Sequence, residues 1–177
     1  KRYRVLVLHL RRNFVILKAR LMDIKELKFF LIETKKAGYG AGDSKKWIKE
    51  KDGSTTIPFE SGDFRMHDNF FGGEPWGGRE VVFFKGEPVW IIVMYGSVDP
   101  SFNDFEAVYK FLQKALRNQP KDLPLRGPKL FKEGDFIYKN KTEGDLENFI
   151  GEEVIYKGDK QIYKTNYAGG LVDQRKE

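Results

Sequence analysis

The stretch FESGDFRMHDNFFGGEPWGGREVVFFKGEPVWIIVMYG, residues 59–96, decides the predicted fold. Shifted by 72 positions without a gap, it meets residues 131–168 with 10 identities in 38 positions. Gly62-Asp63-Phe64 falls on Gly134-Asp135-Phe136, and Lys85-Gly86 falls on Lys157-Gly158. Two turn motifs that agree in one register predict an internal duplication.

A helix is predicted ahead of each copy. Asp23-Ile24-Lys25-Glu26 has the form of a capping box, and apolar residues at helical spacing follow it as far as a stop at Gly38. Ser101 or Asn103 is predicted to cap a second helix, which ends near Asn118.

Segments rich in β-branched and aromatic residues, bounded by turn residues, predict the strands. They are residues 56–59, 63–68, 80–84, 89–95, 136–139, 146–150, 154–156 and 161–167.

The predicted fold class is therefore α+β. It is a duplicated unit of one helix plus antiparallel strands, with a mainly antiparallel sheet, two main helices and pseudo-two-fold symmetry. Residues 23–172 form the predicted domain, with repeats at about 23–98 and 101–170. A basic extension, residues 1–22, precedes it, and a polar tail, residues 173–177, follows it.

The positive charge of the chain belongs to the extension. The formal net charge is +6, but residues 1–20 hold seven cations and no acid, so the remainder has 25 cations against 26 acids. A domain near neutrality lacks the broad positive field that phosphates require, so nucleic-acid binding is not expected. The extension itself fits a β-hairpin, a basic amphipathic helix or a segment upstream of the domain.

Composition excludes several classes of site. The chain has no cysteine, which excludes disulfides, thiol nucleophiles and cysteine–metal centres. No apolar run approaches the roughly 20 residues that span a bilayer, so no membrane association is expected. The Lys- and Glu-rich composition predicts a cytoplasmic protein and is typical of thermophiles. No motif indicates a cofactor.

Two repeats that pack about a pseudo-two-fold axis would place matching residues at a shared interface, where ligand sites commonly form. Glu80 and Glu152 match, and a pair of carboxylates there suits acid/base chemistry or binding of a cation. Most aromatic residues of the first copy align with non-aromatic residues of the second. This difference predicts that the first copy alone supplies an aromatic surface for a ligand. The candidate ligand-binding residues are Phe71, Trp76, Glu80, Trp90, Tyr95 and Glu152.

Small-molecule binding or sensing is the function that this pattern favours, and two other classes stay open. An enzyme would use Asp63, His67 and Glu80 for acid/base or metal-assisted chemistry. With a single histidine in the domain, however, no metal centre is predicted. A protein-interaction module would expose an apolar patch and form a homodimer.

Several motifs in order resemble the small prokaryotic family DUF5680, a domain of unknown function, over about residues 23–172. The resemblance implies a sensing role, because the domain of that family often stands alone or follows a helix-turn-helix regulator domain. It brings no catalytic residues. Residues 1–22 are too short for a helix-turn-helix, so direct DNA binding is not expected. The motifs are GDFRMHDNFFGG (62–73), GREVV (78–82), KGEPVW (85–90), YG (95–96), LRGP (125–128) and GDL (144–146).

Overall fold

The computed structural model describes residues 3–7, 16–20, 22–37 and 47–172. In chain order the elements are β1 (Tyr3–Val7), β2 (Ile16–Arg20), α1 (Ile24–Ala37), β3 (Ile48–Lys49), β4 (Thr55–Ser61), β5 (Phe64–Gly72), β6 (Trp76–Phe84), β7 (Glu87–Val98), α2 (Phe105–Arg117), β8 (Leu130–Glu133), β9 (Phe136–Gly144), β10 (Asn148–Lys157) and β11 (Lys160–Leu171).

One large antiparallel sheet dominates the structure. Its strand order is β3-β4-β5-β6-β7-β11-β10-β9-β8, while β1 and β2 pair with each other as a separate two-stranded sheet. Tight turns join most neighbours, and the hairpin predicted at Lys85-Gly86 is present between β6 and β7. Strands β3 to β7 lie side by side in chain order, and so do β8 to β11. Helix α2 connects the two runs in the chain, and in the sheet they are joined where β11 pairs with β7.

The predicted α+β fold with a duplicated helix-plus-strands unit is wrong. The two runs of strands are not two packed units with an interface between them, because β7 and β11 hydrogen-bond edge to edge and make one continuous nine-stranded antiparallel sheet. The matching Gly-Asp-Phe and Lys-Gly motifs are turn signals that any tight hairpin can use. They therefore did not specify how the strands would assemble.

Helix α1 begins where the sequence predicted. The Asp23 side chain accepts a hydrogen bond from the backbone N–H of Lys25 at 2.8 Å, and the Asp23 carbonyl accepts from Leu27 at 3.1 Å. The buried face of α1 packs on β5, β6 and β7 in the larger of two apolar clusters. The predicted stop at Gly38 lies outside the described residues.

Helix α2 is capped by Asp104, not by Ser101 or Asn103. The Asp104 carboxylate accepts from the Ala107 N–H at 3.0 Å, whereas Ser101 is held by Asp99 in the preceding turn. Asn118 ends the helix as predicted. Its apolar face packs with residues of β9, β10 and β11 in the second cluster.

Both helices cover the same face of the sheet, which we call the inner face. Because side chains alternate along a strand, every second residue of β5, β6, β7, β10 and β11 points to this face and the rest point to the outer face. The outer face carries exposed apolar residues, including Val93 on β7 and Ile150 on β10, two strands that flank β11. Among the described residues, no helix is long and apolar enough to cross a membrane.

Candidate functional site

A cavity of about 180 Å³ opens between the inner face of the sheet and α2. We call it the inner cavity. Its lining combines aromatic and apolar side chains with three charged ones, Asp68, Glu80 and Arg126. The lining residues are Trp47, Asp68, Phe70, Gly72, Gly73, Trp76, Glu80, Met94, Tyr109, Leu112 and Arg126.

Glu80 on β6 supplies one charged side chain to the wall of the inner cavity. Only 2% of the residue is exposed, and one carboxylate oxygen, Oε1, accepts from the ammonium group of Lys35 on α1. The second oxygen, Oε2, is buried and has no hydrogen-bond partner among the described residues. An unsatisfied buried acceptor costs about 1–3 kcal/mol, so this oxygen is a strong attachment point for a donor.

A second buried ion pair lies beside the cavity. The Nε of Arg126 donates to Oε2 of Glu153 at 3.2 Å, and Nη2 donates to Oε1, so the guanidinium is held by both oxygens. The Tyr138 hydroxyl donates to the same carboxylate at 2.6 Å and accepts from the Gly127 N–H at 3.1 Å. Burial alone would lower the pKa of Arg126, but the Glu153 charge raises it well above its ordinary value. This network fixes the segment between α2 and β8 against the sheet.

Burial, followed by the negative charge of Glu153, raises the pKa of Tyr138 well above its ordinary value. In the unfolded chain the tyrosine ionises near pH 10. Above that pH the unfolded state loses a proton that the folded state keeps, so we expect the free energy of unfolding to decrease as pH rises beyond about 10. Below about pH 9 this group should contribute no pH dependence.

Urea denaturation at several pH values between about 8 and 11 measures the effect, which reaches at most about 1.4 kcal/mol per pH unit for one group. Tyr138→Phe removes the group and should flatten the profile, although it also lowers stability at every pH. An equally steep profile in Tyr138→Phe would contradict the assignment. Tyr167, whose pKa burial also raises, should account for the slope that remains.

The mouth of the inner cavity is aromatic and held in place by hydrogen bonds. Trp47 packs edge-on against Phe70 with ring centroids 5.5 Å apart. The turn between β5 and β6 is fixed through Glu74, which accepts from the Tyr109 hydroxyl of α2 at 2.6 Å and from the Val98 N–H at 2.8 Å. The turn, α2 and the sheet therefore meet at the opening.

The structure brings two of the six predicted ligand-binding residues, Trp76 and Glu80, into the wall of the inner cavity. Trp90 is fully buried in the core, where its Nε1 donates to the Leu146 carbonyl at 2.9 Å. Phe71 and Tyr95 point to the outer face and are 50% and 60% exposed. These five predicted residues therefore lie in three places, namely the cavity wall, the core and the outer face.

Glu152, the sixth, does not meet Glu80. It lies on the outer face, paired with Lys164, in a shallow hollow also lined by Lys141 and Glu143. Its neighbour Glu153 is the one that points to the inner face and is fully buried.

The residues of the predicted acid/base group are also separated. Asp63 sits in the turn before β5, 3.8 Å from the Lys85 ammonium, and His67 lies on β5 with its side chain toward the outer face. Glu80 points to the opposite face. Across the described parts of the chain, no group of three or more His, Asp or Glu side chains is arranged to hold a metal ion.

Five of the eleven lining residues were in none of the candidate groups that the sequence indicated, namely Trp47, Met94, Tyr109, Leu112 and Arg126. Leu112 and Tyr109 both lie on α2, and helical spacing alone does not separate a cavity wall from an ordinary core face. Arg126 carried a usable signal, because a lone arginine within the run Pro124-Leu125-Arg126-Gly127-Pro128 is flanked by rigid and buried residues. An arginine in such a position needs a buried carboxylate.

A family model described as Domain of unknown function (DUF5680) matches residues 68–172. The match includes β6, β7 and α2, and with them most of the cavity lining. No curated protein and no solved structure matches the chain.

Proposed function

This chain belongs to the DUF5680 family, and from that premise we propose that the domain binds a small molecule in the inner cavity. The observation that carries the proposal is the buried Oε2 of Glu80, which has no partner among the described residues. A folded protein rarely leaves a buried carboxylate oxygen unsatisfied; a ligand, an ion or an ordered water normally completes it. A ligand donor in the cavity would supply the missing hydrogen bond.

The shape and lining of the cavity support the same function. Trp47, Phe70 and Tyr109 offer flat apolar surfaces near the opening, and Met94 and Leu112 add apolar surface deeper in the site. Aromatic side chains favour planar ligands through stacked and edge-on contacts. A mostly apolar cleft with few polar groups is the usual form of a small-molecule site.

The volume limits the size of the ligand. A cavity of about 150 Å³ accommodates benzene, and the inner cavity measures about 180 Å³. We therefore propose a ligand with one aromatic ring and a short polar substituent, or a larger molecule of which only such a group enters.

Gly73→Phe tests the proposal by obstructing the opening. Gly73 lines the cavity, and a Cβ there would meet no atom within 4 Å, so a side chain can be introduced without a clash at its Cβ. We expect a library of small metabolites to contain ligands that stabilise the wild-type protein, by about 2.7 kcal/mol at a hundredfold excess over Kd. The same ligands should give Gly73→Phe little or none of that stabilisation.

Gly73→Ala is the matched control, since it changes the backbone freedom in the same way but adds only a methyl group. Thermal unfolding of the three proteins with each ligand measures the effect, and NMR shifts at Trp76 and Met94 locate the ligand. Ligands that stabilise all three proteins equally, or a library without any ligand, would contradict binding in this cavity.

A further inference from the structure

The outer face of the sheet carries a straight row of side chains that crosses five strands. Paired residues of neighbouring strands point to the same face of a sheet, so the strand register defines this row. It begins with a cation, is apolar at its three central positions and ends with an anion. In order across the sheet, the row consists of Arg79 (β6), Val93 (β7), Ala168 (β11), Ile150 (β10) and Glu143 (β9).

The apolar residues around the centre of this row are exposed. Val93 is 52% exposed and Ile150 is 57% exposed. Tyr95, two residues further along β7 on the same face, is 60% exposed. Ala168 lies between β7 and β10, and its small side chain is exposed as well. Contiguous exposed apolar surface commonly marks a site of protein association.

The order of charges along the row matches a second copy of the same row turned end to end. A two-fold axis that runs parallel to β11 and passes over Ala168 reverses the row, because it exchanges the strands on the two sides of β11. Arg79 of one copy then faces Glu143 of the other copy, and Val93 faces Ile150. Each contact occurs twice, as in any isologous dimer. The charges of the row are therefore complementary to those of a second copy.

The same rotation places the Tyr95 ring over the shallow hollow of the outer face. Tyr95 pairs with Asn166 on β11, and Asn166 pairs with Glu152 on β10. Because Tyr95 and Glu152 flank β11 at one level, the two-fold axis brings Tyr95 of one copy onto Glu152 of the other. Glu152, Asn166 and Ile150 line the hollow, which has a volume of about 370 Å³. A protruding ring thus meets a concave surface.

The outer face is large enough for a stable interface. Six neighbouring strands, β5, β6, β7, β11, β10 and β9, have lengths of 9 to 12 residues. With strands about 4.8 Å apart and about 3.4 Å per residue, about seven residues of each strand cover roughly 700 Å². A standard protein interface buries about 800 Å² on each partner.

We propose that two copies of this chain form a dimer through their outer faces, with β11 of one copy over β11 of the other. Two sheets that pack face to face commonly keep their strand directions within about 30° of each other, which agrees with an axis parallel to β11. The inner cavity lies on the opposite face of the sheet. The dimer is therefore independent of the proposed ligand binding.

Sedimentation velocity of the full chain between about 1 and 500 µM measures the association, and we expect a dimer with a Kd of about 10 µM or lower. Val93→Lys and Ile150→Lys each place a charge in the centre of the interface and should raise the Kd at least about tenfold. Both positions are exposed, so the fold should be retained, which far-UV circular dichroism checks. Phe29→Lys is the control, since Phe29 is 70% exposed on α1, at the other side of the sheet.

A charge exchange between positions 79 and 143 tests the axis itself. Arg79→Glu and Glu143→Arg each place like charges opposite one another twice, so each variant alone should have a Kd at least about tenfold higher. An equimolar mixture of the two variants should form dimers as readily as the wild-type protein. In the mixed dimer the introduced carboxylate faces the introduced guanidinium, and the remaining Arg79 faces the remaining Glu143.

Three results would overturn the proposal. A wild-type protein that stays monomeric up to about 500 µM would exclude a second copy as the partner of this face, because an interface of standard size gives a Kd in the micromolar range or below. A dimer that survives in both Val93→Lys and Ile150→Lys would lie on another surface. A mixture of Arg79→Glu and Glu143→Arg that remains as dissociated as its components would contradict the two-fold axis over Ala168.

Discussion

Glu153→Ala is expected to lower the free energy of unfolding by about 3–5 kcal/mol, because it removes one partner of a buried ion pair. Arg126 is only 4% exposed, and its guanidinium would remain in the interior without its carboxylate. The Tyr138 hydroxyl would also lose the acceptor that it contacts at 2.6 Å. Urea denaturation followed by tryptophan fluorescence measures the loss.

Glu152→Ala is the matched control, since it removes the same side chain from the adjacent position. Glu152 lies on the outer face in an exposed pair with Lys164, and such pairs contribute about 0–1 kcal/mol. The two variants should therefore differ by at least about 2 kcal/mol. Equal losses would mean that β10 does not present Glu153 to the inner face.

The prediction that Glu80 and Glu152 occupy matching positions fails because of a difference between two turns. A gapless shift of 72 positions matches Glu80 with Glu152. In the structure, Gly72 pairs with Trp76 across the β5–β6 turn, whereas Gly144 pairs with Phe149, so the β9–β10 turn is one residue longer. A slip of one residue moves a strand side chain to the other face. Glu152 therefore faces outward.

Strand β10 shows a second limit of local patterns. The sequence predicts two separate strands at residues 146–150 and 154–156. The structure has one strand from Asn148 to Lys157. Gly151 leaves room for the Tyr167 ring, and Glu153 is neutralised by Arg126 from a distant segment. Neither tertiary contact is visible in the local composition.

What the sequence predicted well depends on short-range chemistry. The start of α1 at Asp23, the end of α2 at Asn118 and the β6–β7 hairpin follow from caps and turns that involve neighbouring residues. The motifs from Gly62 to Leu146 also identified the family correctly. The cavity required the packing of α2 and the segment around Arg126 onto one sheet, which no local pattern specifies.

Lys35→Met is expected to lower the free energy of unfolding by about 3–5 kcal/mol, because it leaves the Glu80 carboxylate buried without its cation. The side chains of both residues are less than a tenth exposed. Lys110→Met is the control, since it removes a lysine from an exposed pair with Glu106 on α2, and such a helix pair contributes about 0.3–0.5 kcal/mol. Denaturation by urea at neutral pH compares the two variants.

The double variant Lys35→Met/Glu80→Met decides why the pair is retained. Replacing both partners of a buried ion pair by apolar groups is often neutral or stabilising, so we expect the double variant to recover most of the stability that Lys35→Met loses. A double variant as unstable as Lys35→Met would mean that the pair itself stabilises the fold. Recovery of stability together with loss of ligand binding would mean that Lys35 and Glu80 are kept for the site. A buried carboxylate with one unsatisfied oxygen is a cost to folding, and under the proposed function ligand binding offsets that cost.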